Sequence, residues 1–278
     1  MRQRRAEHWK ISLISGFALL CGIVFCVAGA SLLSGYSPSE QDAAARLVPP
    51  SREHPMGTDA FGRDVLSRTL YGGRTTLIST TVVLTVALLT GITVGLLTGI
   101  NHDTVIDVVF MRLIDVLMSF PFIILAMVVI ALFGASLLHL LAVVAAVWWV
   151  PFARLTRSIV LQKKSDTAVE AARVLGAKTS AIAIRELLPK VVAPVLIQAT
   201  FELGNLVLSI SALSFLGLGA QPPTPEWGSM LADGRAHFFE SPHVLMGPAI
   251  FMIATVLALN MIGEGLRDWL DPFEIIRM

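Results

Sequence analysis

Four long stretches of this chain carry no formal charge. No Asp, Glu, Lys or Arg occurs in residues 11–39, 75–102, 116–153 or 241–263. A helix needs about 20 mostly apolar residues to cross roughly 30 Å of hydrocarbon, so each stretch is long enough to span a bilayer and the third is long enough for two spans. A break near Gly134, Ala135 and Ser136 divides that third stretch into helices over about Leu113–Phe133 and Leu137–Ala153. A further apolar segment, Val191–Leu218, contains a single acid, Glu202. Charged residues make up only 15% of the 278 positions, and no segment between the spans is large enough to bury a core of its own. The expected architecture is an all-α membrane protein with six transmembrane helices.

Six spans place both termini on one side, and the basic residues give the side. Fifteen Lys and Arg fall with the termini, Arg112 and the segment 154–190, against six in the segments on the opposite side. Basic residues concentrate in cytoplasmic loops, so the termini and the 154–190 loop are expected in the cytoplasm. The first apolar stretch is long and lacks a small-residue cleavage site, which predicts that it stays attached. Cys21 and Cys26 lie five residues apart within it, on different helix faces, a spacing suited to neither a disulfide nor a metal site. Gly91, Gly95 and Gly99 repeat a small residue every fourth position, which predicts close backbone packing against another helix.

Polar residues within the spans need partners. Asp115 follows Arg112 by three positions, a spacing for an intrahelical pair. Glu202, Asn205 and Ser209 line one face of the fifth helix, a face suited equally to bordering a translocation path and to hydrogen bonding with a neighbouring helix or subunit. His139, His54, His237 and His243 do not fall at ligand spacing along one helix, and no metal site is expected.

The loop between the fourth and fifth spans reads as two short helices. Good helix formers run from Asp166, a candidate cap, to Leu175; Gly176 supplies a residue able to take positive φ; Thr179 or Ser180 starts a second helix that reaches Leu188 before Pro189. Leu175-Gly-Ala-Lys-Thr-Ser180 is not a phosphate-binding loop, because Ala177 stands directly before Lys178, where GxxxxGK[ST] requires glycine. Nucleotide chemistry by that route is excluded for this chain. On spacing alone the loop helix is suited equally to docking a partner and to lying on the bilayer surface through Lys163, Lys164, Arg173 and Lys178.

Glu170-Ala171-Ala172, then Gly176, then Leu188-Pro189 resembles the EAA loop of importer permeases, with Glu186 at the one fixed position, an isoleucine, that departs from the pattern. Gly57-Thr58-Asp59, Gly62-Arg63-Asp64, Ser67-Arg68, Ser214-Phe-Leu-Gly-Leu-Gly219, Gln221 to Gly228 and Gly263 to Asp268 resemble the C-type permease subunits of peptide and nickel importers of the ATP-binding-cassette class. The resemblance implies the type I importer permease fold in a bacterial inner membrane. It divides the chain into a cytoplasmic N-terminus with the first helix (1–39), a periplasmic segment (40–74) and a five-helix core (75–278) containing the loop 154–190.

The resemblance also implies partners. These are a homologous second permease forming a heterodimer, two ATPase subunits that bind ATP and Mg, a periplasmic or lipid-anchored substrate-binding protein, and membrane lipid, with no nucleic acid. Coupling to the ATPases falls to Glu170, Ala171, Ala172, Gly176, Leu188 and Pro189. Pro222 and Pro223, with Glu226 and Trp227, form a stiff segment expected either to contact the binding protein or to cover the helix ends. Short peptides are the expected cargo, with nickel or a metal chelate as the alternative. An ion channel would need no such loop, and an intramembrane enzyme would need motifs such as HExxH or GxSxG, which are missing.

Overall fold

The computed structural model describes residues 2–270, with side chains from residue 9. Among these residues there are no strands beyond one isolated bridge, Thr58 to Asp64. Besides a short turn of helix at Ala30–Leu33 and brief 3-10 and π segments, the helices are α1 (Arg2–Ala28), α2 (Val65–Ile100), α3 (Val105–Ser119), α4 (Phe122–Phe133), α5 (Leu137–Trp148), α6 (Val150–Lys163), α7 (Thr167–Val174), α8 (Thr179–Ile182), α9 (Leu188–Phe215), α10 (Trp227–Gly234) and α11 (His243–Leu270). Five continuous stretches are long and apolar enough to cross a membrane: Trp9–Ala28, Val65–Ile100, Leu137–Lys163, Thr179–Phe215 and His243–Leu270. The pair α3 and α4 passes the same test jointly, giving up to six spans when the bent pair is taken as one.

Three boundaries differ from the sequence expectation. The expected straight helix over Leu113–Phe133 is instead bent by 88° between α3 and α4. Pro121 is the cause: Phe120, which precedes it, is held extended at ψ 135, so the helix stops and restarts. The helix expected from Thr75 begins at Val65, ten residues inside the segment 40–74, where the Asp64 carboxylate accepts from Ser67 N at 2.7 Å. Arg68 and Arg74 are tolerated within it because both are engaged; Arg74 donates to the Val27 and Ala28 carbonyls at the end of α1, at 2.8 and 2.6 Å. The span expected to end at Ala153 runs to Lys163, since Arg154 and Arg157 find acidic partners on α3.

The core forms where α2, α6 and α9 meet. A Cβ at Gly91 would lie 2.5 Å from Phe152 Cβ, one at Gly95 2.6 Å from the Ala153 carbonyl, and one at Gly99 2.6 Å from Val160 Cγ1, so all three glycines face α6 as their spacing predicted. Phe152, Ala153, Val160, Val191 and Val195 are buried in one cluster, and Leu140, Leu206 and Ile210 in a second. Large apolar side chains cover the outside; Ile78, Leu89, Met246, Ile250 and Ile253 are all more than half exposed, the surface that a bilayer or a partner subunit must cover.

Candidate functional site: the 166–189 hairpin and the opposite helix ends

The loop after α6 forms the expected helix, turn and helix. Leu175 closes α7, Gly176 adopts φ +79, Ala177 N donates to Ala172 O and Gly176 N to Arg173 O, both at 3.0 Å. This pairing satisfies two terminal carbonyls and reverses the chain in the way a glycine permits. Asp166 does not cap α7 with its side chain. Its carboxylate instead accepts from Lys190 Nζ at 2.9 Å, which ties the start of the hairpin to α9. That ammonium group, with Lys163 nearby, holds the Asp166 carboxyl below the usual carboxylate range.

The second helix does not stop at Leu188. A π turn over Ala183–Leu187, in which Leu188 N donates to Ala183 O, runs directly into α9 and makes Thr179–Phe215 one continuous rod. Proline lacks the N–H that would seek the carbonyl four residues back, and the wider turn before Pro189 accommodates the mismatch. Glu186, the departure from the family pattern, lies within this turn and is half-buried.

Only one side of α7 is anchored. Val169 is 1% exposed and Ala172 packs beside it, both in the cluster that holds Ile182, Leu187 and Val191. Glu170, Ala171, Arg173 and Gly176 are exposed, and Val174 and Leu175 are 88% and 86% exposed. Leu188 is half-buried and Pro189 exposed at the root of the rod. The hairpin therefore presents small residues and two bare aliphatic side chains on a lever fixed to the bundle.

At the opposite helix ends, Glu226 and Trp227 are not surface residues. Both are 0% exposed. Glu226 caps α10 by accepting from Ser229 N at 3.0 Å, and also accepts from the hydroxyls of Thr76 at 3.1 Å and Ser211 at 3.0 Å; the Trp227 indole donates to Thr69 O at 2.9 Å. They rivet α10 to α2 and α9, which removes them from any contact surface. Pro222 and Pro223 are exposed. The segment before α2 is ion-paired within itself and to the start of that helix: Arg63 Nε lies 2.6 Å and Arg68 Nε 3.4 Å from Asp59 Oδ2, and Asp64 accepts from His54 Nδ1 at 2.9 Å.

Within the spans, Glu202 is 9% exposed and accepts from Trp148 Nε1 at 2.9 Å and Gln198 Nε2 at 2.8 Å, so its contacts are with α5 and its own helix. Asn205 is exposed and Ser209 half-buried. The shared face thus splits, with the acid turned into the chain and the amide left outside. Asp115 keeps Arg112 at 4.0 Å but lies closer to Arg154, at 3.1 Å.

A cluster that the spacing argument missed joins α3 to α6. Asp107 is buried and accepts from Arg157 through both oxygens at 2.8 Å, with His102 Nδ1 at 2.9 Å. His102, Asp103 and Asp107 lie close enough to resemble a metal site, but the Arg157 guanidinium already occupies both Asp107 oxygens, so a cation there would face a fixed positive charge. The fifty residues between Asp107 and Arg157 hide this pair from any reading of local spacing.

The sequence pattern of the family described as binding-protein-dependent transport system inner membrane component matches residues 91–274. The chain is 39% identical over 263 residues to a dipeptide transport system permease protein of Alkalihalophilus pseudofirmus, covering 95% of this chain and 86% of that one. It is 37% identical over 265 residues to a di/tripeptide transport system permease protein of Pseudomonas aeruginosa, covering 93% and 87%. It is 43% identical over 223 residues to a glutathione transport system permease protein of Escherichia coli, covering 80% and 73%. With its helical architecture and its EAA-type hairpin, the chain belongs to the binding-protein-dependent transport system inner membrane components, as a multi-pass permease subunit of an ATP-binding-cassette importer.

Proposed function

We propose that this subunit forms half of an inward pathway for short peptides and that α7 is the lever through which separate ATPase subunits drive it. The observation that carries this reading is the hairpin itself, anchored by Val169 and Ala172 and bare at Ala171, Val174 and Leu175. Burying both aliphatic side chains in a partner's cleft would contribute on the order of 3–6 kcal/mol. Motion delivered to α7 passes to the bundle through the Asp166–Lys190 contact and the continuous rod Thr179–Phe215.

The hairpin faces the cytoplasm in this reading, with both termini, because 15 of 21 basic residues fall on that side. A homologous second permease completes the pathway as a heterodimer, and a substrate-binding protein delivers the peptide at the opposite face. ATP and Mg are held by the ATPase subunits, and this chain performs no chemistry of its own. Asn205, exposed on α9, borders the path, while Glu202 serves the packing of α9 on α5. Peptide cargo is favoured over nickel by the three relatives, whose names specify dipeptide, di/tripeptide and glutathione transport.

Affinity purification of the tagged subunit in mild detergent tests the reading. The wild type should bring down a second permease and ATPase subunits, and Glu170→Arg with Gly176→Pro should lose the ATPases while keeping the permease. Recovery of the chain alone from both would refute the importer assembly.

A further inference from the structure

We infer that a cavity at the outer end of α9 is a binding site for a small zwitterion, an entry site that a short peptide occupies before it passes inward. The inference rests on the peptide-importer reading for the identity of the zwitterion. The cavity, of about 200 Å³, lies between the end of α9 and α10, and Arg68, Ser214, Gln221, Thr224 and Asp233 contribute to its wall.

Two charges of opposite sign border the cavity and are only loosely engaged with each other. Asp59 accepts from Arg63 Nε at 2.6 Å and lies 3.4 Å from Arg68 Nε. Asp233 is left with Arg63 at 3.5 Å and Arg68 Nη2 at 3.9 Å, and its side chain is 39% exposed. Arg68 is 4% exposed and is held by the Pro38 carbonyl through Nη1 at 3.1 Å; among the described residues its Nη2 reaches only Asp233, beyond hydrogen-bond range. The positive group therefore lies deep in the wall and the negative group at the rim.

Charge balance selects the ligand class. Asp59, Arg63, Arg68 and Asp233 sum to zero. A ligand of net charge would leave that charge uncompensated in a partly enclosed site, which is unfavourable. A molecule carrying its own carboxylate and ammonium adds no net charge, its carboxylate reaching Arg68 and its ammonium reaching Asp233.

The test uses the tagged full chain in lipid nanodiscs, with whatever subunits co-purify and no added binding protein. Equilibrium binding is measured for labelled dialanine, its N-acetyl form and its C-amide form. The wild type should bind dialanine about tenfold or more tightly than either blocked form, as expected for losing one charge-assisted hydrogen bond. Asp233→Asn should bind dialanine and N-acetyl-dialanine alike while keeping its preference over the amide, with the fold retained by gel filtration. Equal binding of all three forms, absence of saturable dialanine binding, or a preference unchanged in Asp233→Asn would overturn the inference. An ATPase subunit recovered with a chain that fails to bind leaves the importer reading standing and removes the site; binding by a chain that recovers none does the reverse.

Discussion

Replacing Glu226 separates a structural rivet from a docking residue. Its carboxylate meets three donors in a fully buried position: Ser229 N, the Thr76 hydroxyl and the Ser211 hydroxyl. Glu226→Ala loses the cap of α10, which costs about 1 kcal/mol. It strands two hydroxyls, each of which can turn to a carbonyl of its own helix, so each loses about 1 kcal/mol rather than the full desolvation penalty. The void left by the side chain adds about 1 kcal/mol more, for a total near 4 kcal/mol. Glu226→Gln keeps an acceptor for the hydroxyls but turns an NH2 toward Ser229 N, and should cost about 1–2 kcal/mol. At roughly 2–4 °C per kcal/mol, the alanine variant should melt about 8–16 °C below the wild type and the glutamine variant a few degrees below, read by the loss of the monodisperse gel-filtration peak on heating. An alanine variant that melts with the wild type but fails to engage the binding protein would refute the reasoning and return Glu226 to the surface role that the sequence implied.

Asp107→Asn should destabilise the bundle by about 2–3 kcal/mol, because Arg157 loses a bidentate partner while remaining only 21% exposed; joint replacement by Leu and Met should recover much of the loss in the same melting assay. Gly95→Leu should prevent α2 and α6 from packing, since even a Cβ would lie 2.6 Å from the Ala153 carbonyl, and should abolish recovery of folded protein from the membrane. The Asp166 tether has a defined pH window. Its folded-state pKa is depressed below the ordinary 3.8 by Lys190, so its contribution is fully present above about pH 4 and is lost only as pH falls through the lower folded value. Hydrogen exchange at Val169 should be insensitive to the tether's titration from pH 8 to 5 after correction for intrinsic rates, and Asp166→Asn should accelerate it at every pH in that range.

The uncharged stretches were sufficient to locate the membrane-spanning segments because hydrocarbon excludes charge more strictly than any local preference shapes a helix. The hairpin was legible for a related reason: Gly176 and the flanking alanines are local signals, and the turn they specify forms within a dozen residues. Boundaries set by distant partners were not legible. Arg68 and Arg74 seemed to end a span, yet the first is held by Asp59 and Pro38 and the second by carbonyls of α1. Asp107 and Arg157 lie fifty residues apart and meet only through the packing of α3 beside α6. Trp227 was expected in a segment that contacts the binding protein or covers the helix ends, but its indole N–H reaches a backbone carbonyl on α2 and the ring is buried. Pro121 and the Asp64 cap were missed local signals; Pro121 forbids a straight helix whatever the surrounding hydropathy.

The account stands or falls on what covers α7. A photo-crosslinking amino acid placed at Val174, 88% exposed and outside the packed core, should on irradiation in intact cells yield an adduct whose partner, identified by mass spectrometry, carries a GxxxxGK[ST] phosphate-binding loop. The same probe at Val169, 1% exposed, should yield none. An adduct from Val174 confined to lipid, or to a protein without a nucleotide-binding loop, would contradict the claim that this hairpin couples the subunit to an ATPase.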